Sequence, residues 1–168
     1  LSRGLWRGRV VDVYDGSPIE SARIRIISPS FADLDVVVDC HSDRVGFFEF
    51  RVPSYDRQLH LRVESALHVE LQRPLPPPCE LSIALATRRR ALLDRLIAWA
   101  KREGKPWDNS PEPTPGYIGR TAMEGRCKRE DVANWAQKLE ERAFGPEPVL
   151  AADEREVRDI EPGPKALR

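Results

Sequence analysis

The chain has 168 residues, 40% apolar and 32% charged, with 27 basic side chains balancing 27 acidic ones. That is the composition of a soluble globular chain long enough to bury a core, and no apolar run approaches the length of a membrane span. With charges cancelled there is no bulk field to recruit nucleic acid or an anionic membrane, so neither nucleic-acid binding nor direct membrane insertion is expected.

The chain opens Leu1-Ser2-Arg3, with no Met and no charged segment leading into an apolar one, so no signal peptide is expected. It reads as a piece of a longer protein or a processed chain. The expected compartment is the cytoplasm, or the cell envelope if a targeting segment lies upstream. Cys40, Cys79 and Cys127 form no CxxC pair and are odd in number, which points to reduced thiols, Cys40 as a small core residue.

From Trp6 to Leu85 the hydropathy alternates with period two. A first strand runs through Trp6–Tyr14. Ala22, Ile24 and Ile26 then alternate with Arg23 and Arg25, and Leu34, Val36, Val38 and Cys40 with Asp35 and Asp39. Phe48, Phe50 and Val52 follow, then Leu59, Leu61 and Val63, a short strand at Val69–Leu71, and Leu81, Ile83 and Leu85. Turn signals at Asp15–Pro18, Ser28–Ser30, Pro53-Ser54 and Pro74–Pro78 separate them. One apolar and one charged face per strand predicts antiparallel sheets packed face to face, a seven-stranded β-sandwich.

At Thr87 the period changes. Leu93, Leu96, Ile97 and Ala100 mark one face of a helix over Thr87–Gly104. A proline-rich stretch from Lys105 to Pro115 follows, and Thr114-Pro115 reads as N-cap and first turn of a short second helix. Val132, Trp135, Ala136, Leu139 and Ala143 predict a third helix over Arg129–Phe144, ended by Gly145-Pro146. Ala152–Ile160 carries only a marginal helical pattern. The expected organisation is therefore α+β: a sandwich over residues 5–86, a three-helix segment over 87–148, and a poorly ordered tail over 149–168.

The first half carries a spaced motif: Gly8, Val10, Asp12, Gly16, Pro18, Ile19, Ala22, Ile24 and Ile26, then Ser42, Asp43, Gly46 and Phe48. It resembles the carboxypeptidase regulatory-like, or transthyretin-like, family over about residues 5–86, with Ser42 where the family usually has Thr. The residues have physical reasons of their own. Gly16 and Pro18 shape a tight turn, Asp43 accepts backbone N–H groups within its turn, and Gly46 supplies unusual backbone angles at the exit. More faintly, Thr114-Pro115 and Ala143-Phe144-Gly145 resemble a helical domain of unknown function at the C-terminus of bacterial membrane-anchored transglutaminase-like proteins. That resemblance implies a bacterial source and a larger membrane-associated parent.

Catalytic chemistry finds little footing. His41, His60 and His68 lack metal-ligand spacing and are expected as surface or turn residues. Hydroxyisourate hydrolases share the transthyretin fold, but their C-terminal Tyr-Arg-Gly-Ser motif is missing. There is no G-x-S-x-G, Walker loop or GxGxxG, so no cofactor is implied and an enzyme is not expected. Two features suggest contacts. Arg88-Arg89-Arg90 is the strongest local charge, placed against the helix dipole. Trp107 either pins its loop onto the sandwich, the favoured reading, or is exposed for binding. The expected function is a non-catalytic interaction or scaffold module binding a protein partner, with Arg88, Arg89, Arg90 and Trp107 as candidate contacts. The alternative is a carbohydrate-binding module, which requires two exposed coplanar aromatics on one sheet face. An enzyme would need histidines and carboxylates to converge in a pocket.

Overall fold

The computed structural model describes residues 4–29, 34–108, 111–124 and 128–163, so Cys127 and residues 164–168 of the expected tail lie outside the described residues. The chain divides into two compact units, Leu1–Thr87 and Arg88–Arg168.

The first unit is a β-sandwich. Its strands are β1 (Leu5–Asp12), β2 (Arg23–Pro29), β3 (Leu34–His41), β4 (Phe47–Arg51), β5 (His60–Ser65), β6 (His68–Pro74) and β7 (Glu80–Leu85). They form a three-stranded sheet, β4-β1-β7, and a four-stranded sheet, β3-β2-β5-β6. The alternating apolar residues of both sheets meet in one core. Trp6, Val10, Phe48, Phe50, Leu81, Ile83 and Leu85 come from the first sheet, and Ile24, Ile26, Leu61 and Val63 from the second. Each such Leu, Ile, Val or Phe contributes about 1.5–3 kcal/mol by leaving water. Trp6 stacks on Phe50 at 5.5 Å and donates its indole N–H to the Pro76 carbonyl at 2.9 Å.

The expectation of uniformly antiparallel sheets is corrected at one pairing. β1 and β7 run parallel, Arg7 opposite Glu80 through Asp12 opposite Leu85. After β6 the chain leaves the four-stranded sheet and re-enters the other one in the direction of β1. Period-two alternation is the same for either direction, so it carries no information on this point.

The motif residues act where expected. Gly16 and Gly46 have φ of +72° and +75°. Pro18 bridges Val11 beside the start of the turn. The Asp43 carboxylate accepts N–H groups of Val45 at 3.0 Å and Phe47 at 2.8 Å. The neighbouring Ser42, buried, accepts the Ala22 N–H at 2.9 Å and donates to the Ile19 carbonyl at 2.7 Å. A different constraint acts at Gly8, where an added Cβ would lie 1.9 Å from the Leu81 carbonyl oxygen.

The second unit has four helices among its described residues: α1 (Arg88–Glu103), α2 (Pro115–Met123), α3 (Glu130–Phe144) and α4 (Ala151–Asp159). The expected three-helix segment therefore gains a fourth helix, drawn from what was expected as a poorly ordered tail. Val149 and Val157 are buried in the unit's core, and the Asp153 carboxylate accepts the Leu150 N–H at 3.0 Å at the start of α4. Thr114 caps α2, its hydroxyl accepting the Tyr117 N–H at 3.2 Å. The buried stripe of α3 is the predicted one, Val132, Trp135, Ala136, Leu139 and Ala143. On α1 the buried face is Leu92, Leu96, Trp99 and Ala100, so the predicted stripe of Leu93, Leu96, Ile97 and Ala100 is kept at Leu96 and Ala100 and turned toward Leu92 and Trp99. Trp99 turns the helix: its indole packs edge-on against Trp135 at 5.1 Å and Trp107 at 5.3 Å.

The two glycine constraints differ in kind, and substitution separates them. Gly16→Ala meets nothing within 4 Å and costs only the positive-φ penalty, about 1–2 kcal/mol. At Gly46 the added methyl would also lie 2.4 Å from the Val10 carbonyl oxygen. Gly46→Ala and Gly8→Ala are each expected to cost about 3 kcal/mol or more, the range of steric and strain mechanisms. Urea unfolding of the three variants, followed by Trp6 fluorescence in a chain whose other tryptophans are Phe, measures the order.

Candidate interaction surfaces

The residues with catalytic potential are drawn into the frame. His60 Nδ1 lies 2.8 Å from the Gln58 carbonyl, and His41 is exposed at the end of β3. His68, expected as a surface or turn residue, stands at the β5–β6 turn but is mostly buried. Its Nε2 lies 3.2 Å from Asp12 Oδ2, and its Nδ1 lies 3.1 Å from Ser65 Oγ. Asp12 is committed further, its Oδ1 accepting the N–H of Tyr14 at 2.8 Å and of Asp15 at 3.3 Å. The chain Asp12–His68–Ser65 thus ties the end of β1 in one sheet to the β5–β6 turn in the other. Neither groove described below reaches these three residues. Among the described residues no three His, Cys, Asp or Glu side chains group as a metal site. Cys40 is half-buried and Cys79 exposed, both free. Burial pushes the Cys40 thiol up, away from the thiolate a nucleophile needs.

The outer faces of the two sheets differ. On the four-stranded sheet, arginines and carboxylates pair mainly on the diagonals between neighbouring strands. Arg23 pairs with Asp39 at 2.7 Å, Arg25 with Glu64 at 2.5 Å, and Arg62 with Glu64 at 2.9 Å and with Glu70. The Arg23 guanidinium hydrogen-bonds to Asp39 and holds that carboxyl below its ordinary range. On this face the arginines of β2 and β5 each meet a carboxylate. The three-stranded sheet exposes Arg7, Arg9 and Val11 from β1, Phe47, Glu49 and Arg51 from β4, and Glu80, Ser82 and Ala84 from β7. Arg7 pairs with Glu80 at 3.0 Å, but Arg9 and Arg51 make no ion pair with a described residue. Arg9 stands between Phe47 on one neighbouring strand and Ser82 on the other. Around it lies an open groove of about 510 Å³ lined by Arg7, Gly8, Arg9, Val11, Phe47 and Glu80, with Leu81 and Ser82. The alternation of β1 and β4 places these residues outward, yet pattern alone does not reveal on which face arginines go without an ion pair.

The contacts expected after Thr87 are occupied within the chain. Arg88 donates to Glu154 at 2.8 Å, Arg89 to the Glu147 carbonyl at 2.7 Å, and Arg90 pairs with Asp94 at 3.1 Å. Their charge, unfavourable at a helix N-terminus, is offset by acids arriving from α4 and from the next turn of α1. Trp107 is 5% exposed and rests on Trp99, so it holds its loop to α1 within the core of the second unit and offers no exposed ring. More cations converge on α4. Arg95 holds Glu161 through two bonds at 2.6 and 2.8 Å. Arg142 meets Asp153 at 3.2 Å and Glu156 at 2.9 Å, and Lys138 meets Glu156 at 2.8 Å. Hydrogen bonds from Lys138 and then Arg142 hold the Glu156 carboxyl below its ordinary value. Beside these residues a shallow groove of about 370 Å³ runs between α3 and α4, lined by Asn134, Gln137, Lys138, Glu141, Glu156 and Ile160.

No family model matches the chain, and no curated protein matches it by sequence. Among solved structures it is similar to a DUF3823 family protein of Bacteroides uniformis, at 13% identity and TM-score 0.37, covering 49% of this chain and 43% of that one. A DUF3823 family protein of Parabacteroides merdae gives 14% and 0.35, over 50% and 45%. The major pilin subunit of Bacillus cereus gives 12% and 0.33, over 49% and 30%. The matches thus span less than half the length of each of these proteins. At such distance the likeness carries no information about function.

Because the Glu156 pKa is depressed in the folded chain, its contribution is fully present above the ordinary value of 4.5 and is lost as pH falls from there through the lowered value. Replacing Lys138 and Arg142 by Met together is expected to flatten the acid side of the stability profile below about pH 4.5 while leaving its slope at neutral pH unchanged. Thermal unfolding followed by tryptophan fluorescence at stepped pH checks this.

Proposed function

We propose that this chain is a non-catalytic interaction module of a larger bacterial protein, and that its sandwich is of the transthyretin-like, carboxypeptidase regulatory-like kind. The spaced motif from Gly8 to Phe48 supports the family reading, since Gly16, Asp43 and Gly46 each perform the turn role the motif needs. The faint resemblance of the helices supports the bacterial, membrane-associated parent. The partner is a protein, held on the outer face of the three-stranded sheet.

The observation that carries the interaction reading is the contrast between the two outer faces. One has its arginines paired with carboxylates of neighbouring strands. The other leaves Arg9 without such a pair among the described residues, opposite the exposed ring of Phe47 in an open groove, and Arg51 likewise unpaired farther along β4. A planar guanidinium next to an exposed aromatic ring is a pairing enriched at protein interfaces. It offers a fork of donors for a carboxylate and an apolar surface to bury with it.

Carbohydrate binding has less support. Of the described aromatics in the sandwich, Trp6, Phe48 and Phe50 are buried. Tyr55 packs against the core with its hydroxyl on the Leu75 carbonyl at 3.1 Å. Tyr14 stands in the turn after β1, and Phe47 alone lies on a sheet face, so no coplanar pair forms among them.

The test compares the wild-type chain with the Arg9→Glu, Phe47→Ser double variant by affinity capture from the host's soluble and membrane fractions. A partner retained by the wild type and lost at least ten-fold by the variant is expected, with thermal stability of the two chains within a few degrees. The same partners on both chains would overturn the placement of the site. Saturable binding of the wild type to an oligosaccharide array would overturn the protein-partner reading itself.

A further inference from the structure

α4 is held unlike the other helices. Of its nine residues only Val157 is buried, whereas α3 buries five of fifteen. What fixes it is charge. Asp153, Glu154 and Glu156, with Glu161 just beyond, meet Arg88 and Arg95 from α1 and Lys138 and Arg142 from α3. Within α4, Asp153 and Glu156, three residues apart, face α3, while Glu154, and Glu161 just past the helix end, meet α1. The underlying surface is therefore a basic face with an apolar socket for Val157, bounded by buried Val149 before the helix and buried Pro162 after it, and α4 is its complementary acidic helix.

The connection to α3 is short and carries two prolines, Gly145-Pro146-Glu147-Pro148-Val149-Leu150. It is anchored by buried Val149 and by the bond from Arg89 to the Glu147 carbonyl. Such a tether keeps a departing helix close to its seat at high effective concentration. Arg88–Glu154 is mostly buried, but the pairs of Arg95, Lys138 and Arg142 are partly exposed, and pairs of that kind weaken with salt and are replaced readily by an equivalent pairing, unlike the tryptophan cluster of the core. Segments with few buried apolar contacts open at lower cost than the unit as a whole.

We propose that α4 is a releasable strap, a built-in acidic ligand seated on a docking surface for an acidic amphipathic helix of a partner protein. Arg88, Arg95, Lys138 and Arg142 form the surface, and the partner presents carboxylates around one aliphatic side chain in the spacing of Asp153, Glu154, Glu156, Val157 and Glu161. The arginine run that opens α1 thereby has a role in recognition, with α4 occupying it in the resting chain. This surface lies wholly in the helical unit and does not depend on the groove of the sandwich.

The probe is a fluorescent peptide of sequence 149–163, titrated against the full chain by anisotropy. In the Glu154→Lys, Glu161→Lys chain the resident strap is unlatched, and the peptide binds at least ten-fold tighter than to the wild type. Raising the salt to roughly 0.5 M weakens that binding at least ten-fold, and adding Arg88→Glu and Arg95→Glu to the same chain abolishes it. A scrambled peptide of the same composition binds at least ten-fold more weakly. In the unaltered wild-type chain, amides of 151–159 exchange faster than those of α3, and faster still in high salt. Equal peptide binding to both chains, or equal binding of the scrambled peptide, overturns the proposal. So does exchange of α4 in step with α3 at both salts, or loss of the Trp99–Trp135 fluorescence signature in the unlatched chain, because the core would then need α4 to hold together.

Discussion

The sandwich depends on how closely the chain can approach β1. That strand is the middle of its sheet, with β4 on one side and β7 on the other. At Gly8 the neighbouring Leu81 carbonyl sits where any side chain would begin. Two residues on, Val10 donates its N–H to the Gly46 carbonyl at 2.8 Å and accepts the Ile19 N–H at 2.9 Å, so two separate turns dock on the same residue. Gly46 can do so because it has no methyl to place against the Val10 carbonyl. The spaced motif is thus a set of permissions for backbone contact around one strand. Catalytic roles are not needed to explain it.

The same geometry explains why an interaction face arises on this sheet. Side chains of β1 that cannot point inward, Arg7, Arg9 and Val11, stand on the middle of a narrow three-stranded face. With a single strand on each side there are few positions for matching carboxylates, and only Glu80 is paired. The four-stranded sheet has room for a ladder of arginine and carboxylate across β3, β2, β5 and β6, and it forms one. In the helical unit Arg88 and Arg95 are matched by Glu154 of α4 and by Glu161 just beyond it, both distant in sequence from them.

What could be foreseen from the residues was local. Turn chemistry at Asp43 and Gly46, the cap at Thr114 and the apolar stripe of α3 each follow from a few neighbouring positions, and each is present. What escaped was set by partners far along the chain. The rotation of α1 follows from Trp99 being drawn into a cluster with Trp107 and Trp135. The arginine run looks like a free patch until Glu154 arrives from 66 residues away. α4 has too few apolar residues to declare itself, because charge supplies most of its docking. Ser42 and the Asp12–His68 tie were missed for a related reason. A short polar residue beside a turn gives no sign in sequence that it will be buried and shared between two segments.

The measurement that bears most directly on the account is a hydrogen-exchange footprint of the full chain with and without its captured protein partner. The account predicts added protection across Arg7–Val11, Phe47–Arg51 and Glu80–Ala84, the three strands that carry the open groove, with the charged ladder of the four-stranded sheet unchanged. Protection confined to that ladder, or no change on either sheet, would contradict it.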